Sequence, residues 1–298
     1  MKTKKQPLIV IAGPTGVGKS QLAIDLAKKF NGYIINADSR QVYKELNIGT
    51  AKPVPDRILS PKCWEINGIP HYLYGHVSIR ENYNLSDYVK EVREIIAQEK
   101  KIPFLVGGTG LYIDAIVYGF ELADASEKSH KFEDKSVEEL RILAGEKLSL
   151  LNQSDAYNPR RLIRLLQGGA SYRVQSKRRV PAAKCLYLVL DQPEDTLNKH
   201  LADRIDLIFK QGLLEENETL RNKFPKKNLK AFQTIGYQEF DPYFAREKTL
   251  EEVKDLIYLH TKQYTRRQRT WFKRNKIAVL IPDNKKAIQL AENFLQSL

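Results

Sequence analysis

Short apolar runs alternate along the chain with segments of helical period. Leu8-Ile9-Val10-Ile11-Ala12 opens the pattern, and Gln21 to Phe30 follows with Leu22, Leu26 and Phe30 on one helical face. Strand-like runs recur at Tyr33 to Asn36, Lys101 to Val106, Leu186 to Leu190 and Ile277 to Ile281. Strands alternating with helices predict an α/β fold, a parallel sheet covered by helices on both faces. Ligands of such a sheet lie beyond the carboxyl ends of the strands, so the residues after each run matter most. These are Asp38, the group Gly107-Gly108-Thr109, and Asp191. From Leu250 to Arg274 a long helical pattern places Val253, Ile257, His260, Tyr264 and Trp271 near one face.

The alternation breaks from Gly119 to Asn152, a polar, charged segment. Within it Ser136-Val137-Glu138-Glu139 matches a capping box, and Leu140, Leu143, Leu148 and Leu151 could supply an apolar helical face. The expected organisation is a core formed by residues 1–118 and 181–298, with a short helical insertion at 119–180. A chain of 298 residues is long enough for a sizeable core.

The loop between the first run and the first helix is Gly13-Pro14-Thr15-Gly16-Val17-Gly18-Lys19-Ser20, a complete G-x-x-x-x-G-K-[ST] phosphate-binding loop. Strand, glycine loop and helix together point backbone N–H groups and the positive end of a helix at phosphate oxygens. Lys19 is expected to reach a terminal phosphate and Ser20 to hold Mg²⁺. The fold expected is therefore P-loop NTPase-like.

A net charge of +13 favours a polyanionic partner without naming one. Cys63 and Cys185 have no neighbouring cysteine and no metal-ligand spacing, which excludes a disulfide framework or a zinc site from the reading. The basic N-terminus runs straight into the phosphate loop, so a signal peptide is not expected. No run is long enough to span a membrane, and a cytoplasmic location is the default.

Further motifs carry a resemblance. Asp38-Ser39-Arg40-Gln41-Val42-Tyr43, Ile48-Gly49-Thr50-Ala51-Lys52-Pro53, Val106 to Tyr112, Ile235-Gly236-Tyr237 and Arg266-Arg267-Gln268-Arg269-Thr270-Trp271-Phe272 resemble the tRNA dimethylallyltransferase (isopentenyltransferase) family, in family order. The resemblance implies transfer of a dimethylallyl group from dimethylallyl diphosphate to N6 of the adenosine adjacent to the anticodon. It also implies release of diphosphate, a requirement for Mg²⁺, and a tRNA anticodon stem-loop as partner; a monomer is expected.

An exocyclic adenine amine is a poor nucleophile, and a carboxylate must accept its proton as the new bond forms. Asp38 matches the family's general base; an Asp there could also cap a helix or ligate Mg²⁺. Lys19, Mg²⁺ on Ser20 and the loop amides would neutralise the departing diphosphate. The resemblance gives Thr109 a role in positioning the acceptor, although a Thr after Gly-Gly is equally an ordinary helix cap. It assigns RNA contact to Asp38, Ser39, Arg40, Gln41, Thr109, Arg160, Arg161, Arg164, Gly236, Tyr237 and the run from Arg266 to Trp271. Lys262, Lys273 and Arg274 make the long helix basic, and Lys177, Arg178 and Arg179 add charge near the Arg160 group. Basic residues interleaved with aromatics suit an RNA backbone and splayed bases. His71 reads as structural.

The chain departs from the family at several points. The insertion is short, and the residues before the Arg160-Arg161 pair are reduced to Tyr157-Asn158-Pro159. The usual Thr-Gly-x-x-x-Ser pattern is not recognisable in Gly168-Gly169-Ala170-Ser171. Counting from Gly212, Glu218 stands where the family's diphosphate-holding arginine is expected, and Arg221 is the nearest compensating cation. Three rivals remain: a kinase using Asp191 as metal ligand, a transferase acting on free adenine nucleotides, and a non-catalytic RNA-binding paralogue.

Overall fold

The computed structural model describes residues 6–120, 122, 132, 134–167, 180–225 and 229–298. Its strands are β1 (Leu8–Ala12), β2 (Gly32–Asn36), β3 (Arg57–Ser60), β4 (Cys63–Ile66), β5 (Ile69–Tyr72), β6 (Ile102–Gly107), β7 (Cys185–Leu190) and β8 (Ala278–Ile281). They form one sheet in the order β3-β4-β5-β2-β6-β1-β7-β8. From β5 to β8 every pairing is parallel, as the alternation of strands and helices predicts. The β3-β4-β5 edge is antiparallel and was not anticipated. Its tight turn is Asn67-Gly68, with φ of 53° and 74°, the left-handed pair that a two-residue hairpin demands.

Both faces of the central strands are buried. Ile9, Ile11, Ile34, Phe104, Leu188 and Leu190 pack on one side with Leu22, Leu26, Ala287 and Ala291. Val10, Tyr33, Ile35, Leu105, Tyr187 and Val189 pack on the other with Tyr88, Val92 and Ile113. The period of two in the strands thus feeds two separate cores. The first is covered by α1 (Lys19–Lys29) and α10 (Asn284–Gln296), the second by α2 (Leu85–Gln98) and α3 (Gly110–Val117).

A third cluster joins α6 (Glu194–Lys210), α7 (Leu213–Lys223), α8 (Asp241–Phe244) and α9 (Leu250–Lys273). Ile205 and Ile208 meet Leu213, Phe240, Val253 and Ile257 there, with Tyr243 of α8 packed against them. On α9 the buried positions are Val253, Ile257, Thr261, Thr265, Gln268 and Phe272. Their spacing of four, then three, then four is helical, but half of them are polar. A reading by apolar residues alone selects an adjacent strip instead: His260 and Tyr264 are half-buried and Trp271 is 37% exposed.

In the insertion, α4 (Val137–Ala144) and α5 (Pro159–Leu166) pack through Leu140, Ala144, Leu162 and Leu165. The capping box is present: Ser136 Oγ accepts from the Glu139 N–H at 3.2 Å, and Glu139 accepts from the Ser136 N–H at 2.8 Å. Leu143, expected on the apolar face, is instead half exposed, because Ala144 continues the stripe from Leu140. The basic group Lys177 to Arg179 and the run Gly168 to Ser171 lie outside the described residues.

Candidate active site

The phosphate loop leaves β1 and turns into α1. A side chain at Gly13 would place its Cβ 2.2 Å from the Leu190 carbonyl oxygen, so only glycine lets the loop lie this close to β7. Gly18 has φ of 89° and caps α1, whose first turn carries no acidic residue. That helix start is left free for an anion. Val17 is buried and anchors the loop from below, while the Lys19 ammonium donates to the Pro14 carbonyl at 2.6 Å. Burial pushes the Lys19 ammonium down to about 8; the Asp38 charge opposes that shift and the Arg204 charge adds to it.

Two adjoining cavities open beyond the strand ends. One, of about 230 Å³, is lined by Gly16, Gly18, Lys19, Ser20, Tyr74, Gly107 and Gly108 among others. The second, of about 400 Å³, lies against Ser39, Arg40, Thr109, Tyr264 and Arg267, with Ile205, Ile208 and Ile257 forming apolar wall. Thr15, Asp38, Thr50 and Arg204 line both. Asp38 therefore stands at the junction of an anion-binding chamber and a larger, partly apolar one.

Asp38 is held by its neighbours. Its N–H donates to Asn36 Oδ1 at 2.9 Å, and its own Oδ1 accepts from the Arg40 N–H at 2.8 Å. Asn36, 1% exposed, also donates to the Leu73 carbonyl, and Tyr88 donates to the Asn36 carbonyl at 3.0 Å. Thr109 is tied to the same segment: its N–H donates to the Ala37 carbonyl at 3.1 Å, and its Oγ1 accepts from the Ser39 N–H at 3.0 Å. Thr109 also precedes α3, but its side chain makes no helix-capping bond. Burial, with the Asp38 charge as a lesser cause, raises the Tyr264 hydroxyl to about 12.

Arg204 was not singled out from the sequence. It reaches the site from α6, where its guanidinium donates to the Thr50 carbonyl at 3.2 Å. Burial lowers its affinity for its proton and the Asp38 charge works against that. The expectation about Glu218 and Arg221 is corrected. Glu218 is exposed on α7 and lines neither cavity. Arg221 donates to the Tyr237 carbonyl at 2.9 Å, pairs with Asp241 at 2.7 Å and lies over the Phe232 and Phe244 rings. Arg221 lines neither cavity, whereas Arg204, two helical turns before Gly212, lines both.

Several residues that the resemblance assigns to RNA contact also make contacts within the scaffold. Tyr237 is fully buried and donates to Glu216 at 2.6 Å; Glu216 in turn accepts the N–H groups of Ile48 and Gly49. A Cβ on Gly49 would lie 2.6 Å from the Tyr237 ring, and one on Gly236 would lie 3.3 Å from Gly49. The glycines are thus explained by loop-to-loop packing. The Gln41 amide donates to the Thr50 and Ala51 carbonyls at 3.0 and 3.2 Å. Arg269 binds Asp191 at 2.8 Å and the Gln192 carbonyl. That pairing neutralises Asp191 and removes it as the free metal ligand a kinase would need.

Gln268 is 3% exposed, with both ends of its amide occupied by the two glycine loops. Trp271 donates to Asp114 at 3.0 Å and covers Gly110. Thr270 donates to the Arg266 carbonyl, and Arg266 pairs with Glu194 at 3.2 Å on the surface. Arg267 remains exposed at the larger cavity, beside the Tyr264 ring. Arg160, Arg161 and Arg164 are exposed on α5, where the Asn158 side chain caps the helix. His71 is buried and bonded to the Ile69 carbonyl, a structural histidine. Among the described residues no group of three or more His, Cys, Asp and Glu side chains is placed to hold a metal ion, and no helix is long and apolar enough to cross a membrane.

Comparison with known proteins gives a consistent picture. Residues 41–275 match the family described as IPP transferase, and residues 6–64 match that described as isopentenyl transferase. The chain is 38% identical to the tRNA dimethylallyltransferase of Streptococcus gordonii, with 99% of each chain covered. It is 37% identical to that of Enterococcus faecalis, over 92% of this chain and 90% of the relative. Among solved structures it resembles the full-length tRNA isopentenylpyrophosphate transferase of Bacillus halodurans, with a TM-score of 0.73, 29% identity and coverage of 99% and 96%. A eukaryotic dimethylallyltransferase caught acting on tRNA is similar with a TM-score of 0.81 and 27% identity, over 98% of this chain and 80% of that one.

Proposed function

The chain belongs to the IPP transferase family, and from that premise we propose that it moves a dimethylallyl group from dimethylallyl diphosphate to N6 of the adenosine adjacent to the anticodon of a tRNA. It is a tRNA prenyltransferase, and the finer statement is which donor, which atom and which residues. The observation that carries it is the shared wall of the two chambers, where Asp38 and Arg204 face both. The smaller chamber takes the diphosphate. The larger, with Thr109, Tyr264 and Arg267 around it and apolar isoleucines behind, suits an unstacked base and its incoming prenyl carbon.

In this arrangement Asp38 accepts the N6 proton while the N6–carbon bond forms and the carbon–oxygen bond to diphosphate breaks. Lys19, Arg204 and the loop amides receive the charge that develops on the leaving oxygen. The Ser20 hydroxyl, exposed at the anion chamber, is the group that would hold Mg²⁺. A single hydroxyl, with no cluster of acidic ligands among the described residues, fits an ion that arrives with the phosphates, and such an ion would supply further neutralisation of their charge. Arg267, Arg266 and the arginines of α5 are exposed cations that would meet RNA phosphates. In this reading the protein works as a monomer in the cytoplasm, where its tRNA substrate is met.

The test is mass spectrometry of anticodon-loop nucleosides from tRNA incubated with the protein, dimethylallyl diphosphate and Mg²⁺. Addition of one dimethylallyl group to that adenosine is expected; prenylation of free adenine nucleotides without reaction on tRNA would refute the reading.

A further inference from the structure

The two glycine loops of the site leave the paired strands β1 and β6 side by side. Thr15 lies in the phosphate loop after β1, and Gly108 lies in the loop after β6 that carries Thr109. Between them stands the Gln268 amide of α9. Its Oε1 accepts from the Thr15 N–H at 3.0 Å, and its Nε2 donates to the Gly108 carbonyl at 3.0 Å. The fit is tight, since a Cβ on Gly108 would lie 2.1 Å from Gln268 Nε2.

From Gly108 the chain of contacts continues to the proton acceptor. The Thr109 N–H bonds the Ala37 carbonyl at 3.1 Å, and Thr109 Oγ1 takes the Ser39 N–H at 3.0 Å, one residue to either side of Asp38. A Cβ on Gly107 would meet the Ala37 carbonyl oxygen at 2.2 Å, so that loop is seated directly on the Asp38 segment. Gln268 itself is anchored from its own helix. Arg269 holds Asp191 after β7, and Trp271 holds Asp114 on α3.

We propose that Gln268 is a positioning residue for prenyl transfer: it fixes the spacing between the diphosphate loop and the Asp38–Thr109 segment, and makes no contact with RNA. The proposal rests on the diphosphate reading of the loop given above. The reacting carbon must lie between the leaving oxygen and the attacking nitrogen, so the separation of the cradle and the base sets the geometry of transfer. A misplacement of about 1 Å at such a distance costs on the order of 10²-fold in rate. Gln268 needs both a donor and an acceptor for this role, which an amide supplies and neither an ionised carboxylate nor a thioether does.

The experiment compares the full-length wild-type protein with Gln268→Glu, Gln268→Met and Lys19→Ala. Steady-state kinetics, calorimetric titration with inorganic diphosphate in Mg²⁺, and tRNA binding across a salt series are measured for each. Both Gln268 variants are expected to lose about 10- to 100-fold in kcat, with tRNA affinity and its salt slope unchanged. A weaker tRNA affinity with a shallower slope would assign Gln268 to RNA and overturn the proposal, as would a kcat within about twofold of wild type. Hydrogen exchange in the wild-type protein adds a test that no folding defect of a variant can obscure: the Thr15 amide must be protected, and free exchange there overturns the proposal. Normal diphosphate binding by Lys19→Ala would overturn the diphosphate reading itself, whereas impaired Lys19→Ala beside normal Gln268 variants overturns the proposal alone.

Discussion

Lys19 offers a prediction whose size follows from its surroundings. Burial holds its ammonium at about 8, and it donates to the Pro14 carbonyl at 2.6 Å. A diphosphate brings several negative charges against it and moves its proton affinity well up. Binding above about pH 8 therefore requires uptake of one proton, and the dissociation constant rises about tenfold for each further pH unit. Below that point the lysine is already charged and the constant is flat. Lys19→Arg keeps a charge that does not titrate in this range, so its curve reports only the ligand's own ionisation and that of other groups. Calorimetric titration from about pH 7 to pH 9.5 in Mg²⁺, repeated in buffers of different ionisation enthalpy, measures both the affinity and the proton. Wild-type and Lys19→Arg curves that run parallel across that range, or no proton uptake near its upper end, would refute the reasoning. The same depressed value acts with the opposite sign on stability. The unfolded chain keeps the Lys19 proton up to the ordinary 10.5, so between about 8 and 10.5 it binds more protons than the folded one, and this lysine's contribution to stability rises with pH.

Asp38→Asn is expected to bind tRNA and diphosphate normally while kcat falls by about 10² to 10⁴; poor binding with normal turnover at saturation would show that Asp38 is not the base. Arg204→Ala should raise KM for dimethylallyl diphosphate and lower turnover by about 10² to 10³, whereas Arg221→Ala should leave the kinetics unchanged and lower the melting temperature through its lost contacts with Tyr237 and Asp241. Arg267→Ala should reduce the salt slope of tRNA binding by about 0.7 to 0.9. Arg269→Ala should leave that slope alone and reduce thermal stability, because it strands Asp191.

The phosphate loop and the strands around it were legible because their signals are local: an octapeptide, a period of two, and a residue just past a strand end. Asp38 was legible for the same reason. Arg204 was not, because on α6 nothing nearby in sequence marks it. Only the folding of the α6–α9 layer over the strand ends brings it to Lys19, and a count taken forward from Gly212 passes it by. The β4–β5 hairpin is marked by Asn67-Gly68 between apolar residues, a turn signal that lies outside the alternation of strands and helices. For Gln268, Tyr237 and Gly236 the sequence identified the positions but not the contacts they make with the loops and with Glu216. Position in a family motif does not distinguish a side chain that touches substrate from one that holds the loop that does.

Helix α9 keeps its two duties on different sides. Gln268, Arg269 and Trp271 are fixed by partners in three separate parts of the core, while Arg266 and Arg267 lie outward. A one-residue insertion inside this stretch would rotate every following side chain by about 100° and detach the helix from the strand ends. Exchange of an outward residue costs the core nothing. The length of this segment is therefore under tight constraint, whereas its outward side chains can be exchanged without loss of the contacts that seat the helix on the strand ends.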